Sequence, residues 1–306
     1  MAHHQFTPAA YHHTLGWHEP VLEVAPGDSV STTTVDARGR DASDEQVTER
    51  GNPQTGPFYV AGAEAGDALV VTLDALRPNR PRGWTSRRIA SNVLDPGFSH
   101  GLDKVEGTAE WEVDVEAWTA RLVDPDGPLG AVALPLDPMV GCFGVAPPGH
   151  QAIATSTSST HGGNMDYRGF RQGVKVYLPV SAPGGLFCLG DGHAVQGDGE
   201  IVGTGIEISF DVSFTLDLVK DAGIGWPRAE SADHLMTVGN ARPLDQCVQH
   251  ATSEMVTWLQ ADWGLDAQTV HLMMGQCVEY DVGNIYDPAY TMVCRVPRSV
   301  VEKLSR

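Results

Sequence analysis

The sequence predicts an α+β protein that is predominantly β. Its sheets pack face to face in a β-sandwich-like arrangement, and a smaller α/β part closes the C-terminal end. Three observations carry this. Gly (34) and Pro (20) are abundant in the 306 residues without any G-x-y period, which suits many turns and short strands. Residues 205–218, "GIEISFDVSFTLDL", alternate apolar and polar over their whole length, a period of two that no helix produces. Helical spacing enters only after residue 243, and strands followed late by helices is an α+β order.

The elements follow in order. Residues 20–35, "PVLEVAPGDSVSTTTV", read as strand, turn, strand, with Pro26-Gly27-Asp28 as the turn. Residues 56–76, "GPFYVAGAEAGDALVVTLDAL", repeat the design, so the units at 26–30 and 65–71 are expected to be related hairpins. Residues 36–55 are polar and aperiodic and read as a long loop of the kind that carries function. Residues 77–105 read the same way, with Arg77, Arg80, Arg82, Arg87 and Arg88 as a solvated or interface cluster. "GTAEWEVDVEAWTARLV" alternates and is strand, whereas "MVGCFGVAPPG" is expected to be an ordered loop. "QGVKVYLPV" (172–180) is a further strand. Cys247, Ala251, Met255 and Leu259 recur at helical spacing within 243–264, ahead of Gly264. Residues 265–276 form a second helix with Asp266 as N-cap, and the tail gives a strand and a short helix. Residues 1–306 are expected to form a single domain, with a β-rich part at 15–220 and a helix-containing part at 221–306.

Lys and Arg number 20 against 39 Asp and Glu, a net charge of −19. Such a surface repels nucleic acid and anionic lipid, so neither is expected as a partner, and small neutral or cationic substrates fit better. The five cysteines are widely spaced with no C-x-x-C, which argues against a disulfide framework or a Cys-rich zinc site. No basic stretch with a following apolar run opens the chain, and no segment approaches a membrane span. A cytoplasmic protein is expected.

The densest chemistry lies between 155 and 211. "THGGNMDYRG" (160–169) places His161, Asn164 and Asp166 within six residues, and "GDGHAVQGDGEIVGTGIE" (190–207) carries Asp191, His193, Gln196, Asp198, Glu200 and Glu207. Both Gly-rich segments flank strands and can meet at one end of a sheet. Imidazole and carboxylates between glycine turns suit zinc or a similar divalent ion, and a neighbouring Glu can move a proton. "GDG" is equally an ordinary turn, and a lone loop His is usually solvated, so the pattern alone leaves both readings open. Asp36 ends the β-branched run "TTTV", where a turn cap outweighs a ligand. Other schemes lack parts. "STSSTHGGN" superficially resembles amidase-signature enzymes, but only Lys104 precedes it. Cys142 and Cys188 have no spacing that supports a nitrilase-type site, and G-x-S-x-G and the P-loop pattern are absent.

Taken together, "PGDSV" with "TVDARG", "GPFYVAGAEAGDALVVTL", "FGVAPPG", "HGGNMD", "GDGHAVQGDGEIVGTGIE", "MTVGNARPLDQCVQHATSEMVTWL" and "HLMMGQCVEYDVGNIYD" resemble, in this order, the acetamidase/formamidase family. The resemblance spans about residues 15–300 and is most specific at 160–166 and 189–207. It implies hydrolysis of a small neutral amide such as formamide or acetamide to carboxylate and ammonia. It also implies a mostly β architecture with a smaller α/β part, a homo-oligomer (dimer or higher), and a divalent metal, zinc before calcium. Carried over residue by residue, Asp166 and His193 become metal ligands with Asp36 as a further one. Glu200 becomes the acid/base, His161 and Asn164 stabilise the oxyanion, and Glu207 is an addition. The alternatives are hydrolysis of a larger or cyclic amide, and a non-catalytic metal- or ligand-binding β protein.

Overall fold

The alternating run folds as the sequence dictates. In the computed structural model, which describes residues 1–98, 105–123 and 127–305, Phe210, Val212, Phe214 and Leu216 of strand Phe210–Val219 are buried while Asp211 and Asp217 are exposed. This strand pairs antiparallel with Asp28–Thr33 on one side and Ala68–Pro78 on the other. Among the described residues the sheet has nine strands. Beyond Ala68–Pro78 it continues through Lys175–Pro179, Arg228–Glu230, His234–Ala241, Tyr290–Pro297 and Glu279–Asn284. A second sheet runs Ser158–Ser159, Gly162–Asn164, Met139–Gly144, Phe187–His193, Thr55–Val60, Leu22–Val24. Aromatic edges lock the inner faces together: Phe214 of the first sheet meets Phe58 and Phe187 of the second at centroid distances of 5.2 and 5.4 Å. A four-stranded sheet, built from Arg82–Ser86, Thr108–Asp114, Thr119–Leu122 and Ala133–Pro135, accompanies them. The predominantly β, α+β expectation with packed sheets holds.

Three local expectations need correction. The PGD and AGD units are related but are not hairpins. Leu22–Val24 and Thr55–Val60 lie side by side in the second sheet, whereas the strands that follow, Asp28–Thr33 and Ala68–Pro78, flank Phe210–Val219 in the first. Each unit is therefore a crossover between sheets. The kinship survives in the turn, where Asp28 accepts from the Ala25 amide (3.1 Å) and Asp67 from the Glu64 amide (2.8 Å). Second, "MVGCFG" is a strand buried along its whole length, Met139–Gly144, not a loop. Its glycines disguise it, and they are there because neighbouring groups approach too closely for a side chain. Third, the stretch 77–105 is not one loop: Ala68–Pro78 reaches into it and Arg82–Ser86 is a strand. Lys104 lies outside the described residues.

Helix α1 (Leu244–Ala261) presents Cys247, Ala251, Met255, Trp258 and Leu259 inward. It lies on strand His234–Ala241, and Gly239 sets the approach: a Cβ there would collide with the Cys247 carbonyl and stand 2.8 Å from the Ala251 nitrogen. Helix α2 (Ala267–Cys277) starts where expected, with the Asp266 side chain accepting from the Thr269 amide at 3.0 Å. Helix α3 (Arg298–Leu304) ends the chain's regular structure. Among the described residues no helix is long and apolar enough to cross a membrane. The C-terminal strands extend the first sheet, and Glu279–Asn284 returns the chain to Gly199 through the Gly199–Asn284 bridge.

Two glycines should respond in opposite directions. Gly239→Ala, forced against the α1 backbone, is expected to lower stability by about 1–3 kcal/mol in urea unfolding. Gly275→Ala, on an exposed helical position with open space around it, should raise it by up to ~1 kcal/mol. Equal midpoints for the two variants would contradict the packing described.

Candidate active site

The second sheet brings the two Gly-rich segments together across one shared strand. Met139–Gly144 pairs with Gly162–Asn164 on one side (Cys142 opposite Asn164) and with Phe187–His193 on the other (Cys142 opposite Gly190). Gly141 carries the closest approach. Its carbonyl accepts the amides of Met165 and Asp166, both at 3.0 Å. A Cβ on it would collide with Asp166 Oδ1 and lie 2.8 Å from Asp191 Oδ2. Two carboxylates therefore meet over a strand position that only glycine can fill.

Around that point Asp166, Asp191, Glu200 and Glu207 surround His193, and Asp287 joins through Asp166 and Glu200. Ligand-capable atoms of Asp166, Asp191 and His193, of His193, Glu200 and Glu207, and of Asp166, Glu200 and Asp287 lie within 4.8 Å of one another in each group. His193 and Asp166 are fully buried, and Glu200 and Glu207 nearly so. Asp166 (φ +42°), Asp191 (+62°), Glu200 (+48°) and the adjacent Asn52 (+57°) all occupy left-handed backbone. Such geometry costs about 1–3 kcal/mol per residue and gathers where function demands it.

Side-chain amides hold the cluster open. Asn284 Oδ1 accepts from the Tyr286 and Asp287 amides (2.7 and 3.0 Å), which turns its Nδ2 toward Asp166 (2.7 Å), Asp287 (2.6 Å) and Glu200 (3.2 Å). Asn52 Nδ2 donates to Asp191 Oδ2 (2.9 Å), Asn164 Oδ1 (2.7 Å) and the Thr155 carbonyl (3.2 Å). Asn164 in turn donates to Asp287. Gln196 donates through Nε2 to the Asp166 carbonyl, leaving its Oε1 to accept from His193 Nδ1 at 2.7 Å. This fixes the imidazole tautomer and aims Nε2 at the carboxylates.

The electrostatics are those of crowded acids out of water. Burial first, then Asp191 and Asp287, raises the Asp166 pKa well above the carboxylate range. Burial, with Asp166 and Asp287 adding to it, does the same to Glu200. Burial lifts Glu207 to about 7, against the pull of His193. Burial opposes a charged His193, but Glu207 and Asp191 outweigh it and raise its pKa.

The donor set fits a divalent cation. Among the described residues, Asp166 Oδ1, Glu207 Oε2 and His193 Nε2 are buried without a hydrogen-bond partner. His193 Nε2 lies 2.8 Å from Glu207 Oε1 and 3.4 Å from Asp191 Oδ1 without hydrogen-bond alignment. Oxygen lone pairs and an imidazole nitrogen turned toward common ground are what a cation requires, and a cation at Nε2 would replace the proton the carboxylates otherwise attract.

Of the residues named from sequence, Asp166, His193, Glu200, Asn164 and Glu207 come together. Asp36 does not join them: it accepts from Arg80, Trp84 Nε1 (3.1 Å) and the amides of Arg38 and Arg40 (both 2.9 Å). That is the turn-cap role, with a buried ion pair added. His161 is buried, but neither ring nitrogen has a partner among the described residues, and burial alone lowers its pKa to about 4. Asn52, Asn284 and Asp287 were missed. Asn52 sits in the loop 36–55, and "GNIYD" carries no Gly-flanked acid or imidazole pattern to mark it. Cys142 neighbours the site, but burial, with Asp191 and Asp166, holds its thiol well above the usual range and leaves a poor nucleophile.

The sequence profile of the Acetamidase/Formamidase family matches residues 148–303. A formamidase from Methylophilus methylotrophus is 42% identical over 264 residues, covering 67% of this chain and 63% of that protein. An acetamidase from Mycolicibacterium smegmatis is 29% identical over 215 residues, covering 54% of this chain and 53% of that one. The chain spans about half to two thirds of the length of the curated relatives it matches. Among solved structures, an acetamidase from Yersinia enterocolitica superposes with a TM-score of 0.83 at 30% identity, over 98% of this chain and 93% of that one.

Two measurements check this description. Cys142, Cys188, Cys247 and Cys294 are buried and Cys277 is half-buried, so an aromatic disulfide reagent should titrate one thiol in the native protein and five after unfolding. His161 binds a proton less readily folded (about 4) than unfolded (6.5). Its contribution is therefore intact above about pH 6.5 and is lost as pH falls toward 4, by roughly 2–3 kcal/mol at 1.36 kcal/mol per unit. The stability gap between wild type and His161→Phe should shift by that amount in favour of the variant between pH 7 and pH 4.5; a pH-independent gap would show His161 to be solvated.

Proposed function

The chain belongs to the acetamidase/formamidase family, and on that premise we propose that it hydrolyses short aliphatic amides, formamide and acetamide, to carboxylate and ammonia at the carboxylate–imidazole cluster. The observation that carries the reading is the set of buried, unpartnered ligand atoms on Asp166, Glu207 and His193, gathered within the segments most specific to the family.

Asp166, Asp191 and His193 would hold a divalent metal, zinc before calcium because an imidazole nitrogen is among the donors. When bound, the metal supplies Lewis acidity toward an oxygen of the reaction. The chain's own residues do the rest. Glu207, whose Oε1 lies 2.8 Å from His193 Nε2, accepts a proton from the attacking water as its oxygen adds to the amide carbon. Glu200, whose pKa burial beside Asp166 and Asp287 raises, gives a proton to the nitrogen as the C–N bond breaks. Asn164 Nδ2 keeps one hydrogen after bonding Asp287, and that hydrogen serves the developing oxyanion better than His161, which bonds none of the cluster. Burial of the cluster excludes bulk water and favours a small neutral substrate over a charged one. The assembly we expect is a homo-oligomer, as the family resemblance implies.

Ammonia release from formamide and acetamide, with metal analysis of the purified protein, tests the reading. Removal of bound metal by a chelator should abolish turnover, and re-addition should restore it. Glu200→Gln should lower kcat by about 10²–10⁴-fold with the metal content unchanged. Full turnover in a demetallated sample, or in Glu200→Gln, would remove the corresponding part of the mechanism.

A further inference from the structure

A groove of about 400 Å³ beside the cluster is lined by four arginines, Arg38, Arg40, Arg80 and Arg82, together with Trp84, Asp44 and Glu110. In a chain of net charge −19 this is a local concentration of positive charge. Three of the four are neutralised: Arg40 pairs with Asp44 (3.4 Å), Arg80 with Asp36, and Arg82 with Glu110 (3.2 Å). Arg38 differs. Its guanidinium carbon lies 3.5 Å from the centre of the Trp84 ring, and among the described residues it has no ion pair or side-chain hydrogen bond. It is half-buried, so its donors are partly withdrawn from water as well.

The support beneath it is rigid. Trp84 Nε1 donates to Asp36, which Arg80 and two backbone amides also hold. The Trp84 backbone bonds that of Glu207 in both directions, at 3.1 and 2.9 Å. Residues directly opposed in an antiparallel bridge project their side chains to the same face, about 5 Å apart at Cβ. Glu207 is likewise opposed to His193, so Trp84, Glu207 and His193 form a row with Arg38 stacked at one end. Glu207 Oε2 has no partner, and its charge acts on Arg38.

A primary amide has an acceptor oxygen at one end and donor hydrogens at the other, and a carboxylate product has two acceptors. A stacked guanidinium with vacant donors, set on the Trp84 ring at the end of the row that leads to the cluster, is the complement of the oxygen end of both. We propose that Arg38 is a specificity-determining residue that receives the oxygen end of the amide substrate and of the carboxylate product, presented by the Trp84 face beside Glu207. Stacking holds the fork in plane without consuming its hydrogen-bond donors. This rests on the amidase reading above and adds to it the group that recognises the acyl oxygen.

Acetate binding to the metal-loaded protein, measured by calorimetry, tests Arg38 without requiring turnover; ammonia release is measured in parallel. Arg38→Met should weaken acetate at least about tenfold and lower kcat/KM for acetamide by ~10²-fold, with an unchanged melting temperature. Arg38→Lys, which keeps the charge but loses the fork, should recover less than half of the lost binding, in logarithmic terms. Arg50→Gln, an exposed arginine near by, should behave as wild type. If Arg38→Met folds poorly, the Lys variant decides alone: acetate affinity equal to wild type overturns the inference. Wild-type hydrolysis with acetate bound equally well by wild type and Arg38→Met would sink Arg38 and leave the amidase reading standing. A wild type that neither releases ammonia nor binds acetate would sink both.

Discussion

Crowding five carboxyl groups and one imidazole into one cluster, out of water, is the constraint on which the rest of this structure depends. Each ionised carboxylate taken from water costs several kcal/mol unless opposite charge or hydrogen bonds compensate it. Much of the local sequence serves that need. Gly141 gives Asp166 and Asp191 room to meet over a strand. Asn284 and Asn52 each spread one amide nitrogen over three acceptors. Left-handed backbone at Asp166, Asp191 and Glu200 turns the acids inward where an ordinary strand would alternate them outward. Even so, Asp166 Oδ1 and Glu207 Oε2 remain unpaired. Those free acceptors are what the proposed cation would occupy.

The same constraint explains what could be read from the sequence. Alternation marked Phe210–Val219 because its burial follows the strand period, and α1 and α2 were legible from spacing and from the Asp266 cap. The rule failed next to the site. Glu207 and Ser209 fall on the polar phase of the run yet are buried, because the chain there leaves the sheet and pairs with Trp84 and His193 instead. Met139–Gly144 read as a loop because glycines in a sequence signal turns, whereas here they signal carboxylates overhead. The cluster members in "HGGNMD" and "GDGHAVQGDGE" stood out because glycines frame them. Asn52 and Asn284 did not, since an asparagine that clamps carboxylates is indistinguishable in sequence from one that makes a turn. Asp36 shows the converse: its strand-end position favours a turn cap, the family resemblance implies a ligand, and its oxygens belong to Arg80, Trp84 and its own turn.

Charge is partitioned with similar economy. The acidic residues outnumber the basic by 19, yet arginines gather at one groove next to the buried acids. Asp36 links the two regions, holding Arg80 on one side and Trp84 on the other, so the groove and the row leading to His193 share one anchor. For the proposed reaction this separates two tasks. The buried acids and Asn164 serve the chemical step, and the arginine end receives the substrate and product.

The return of Glu279–Asn284 to Gly199 has a consequence in time as well as in space. Asp166, His193 and Glu200 emerge during synthesis long before Asn284 and Asp287, which join the same cluster from more than eighty residues further along. Until those last residues arrive, the early acids face one another without their amide clamp, in a chain that has neither finished its first sheet nor closed it with the C-terminal strands. The site is thus completed late, after most of both sheets has been synthesised.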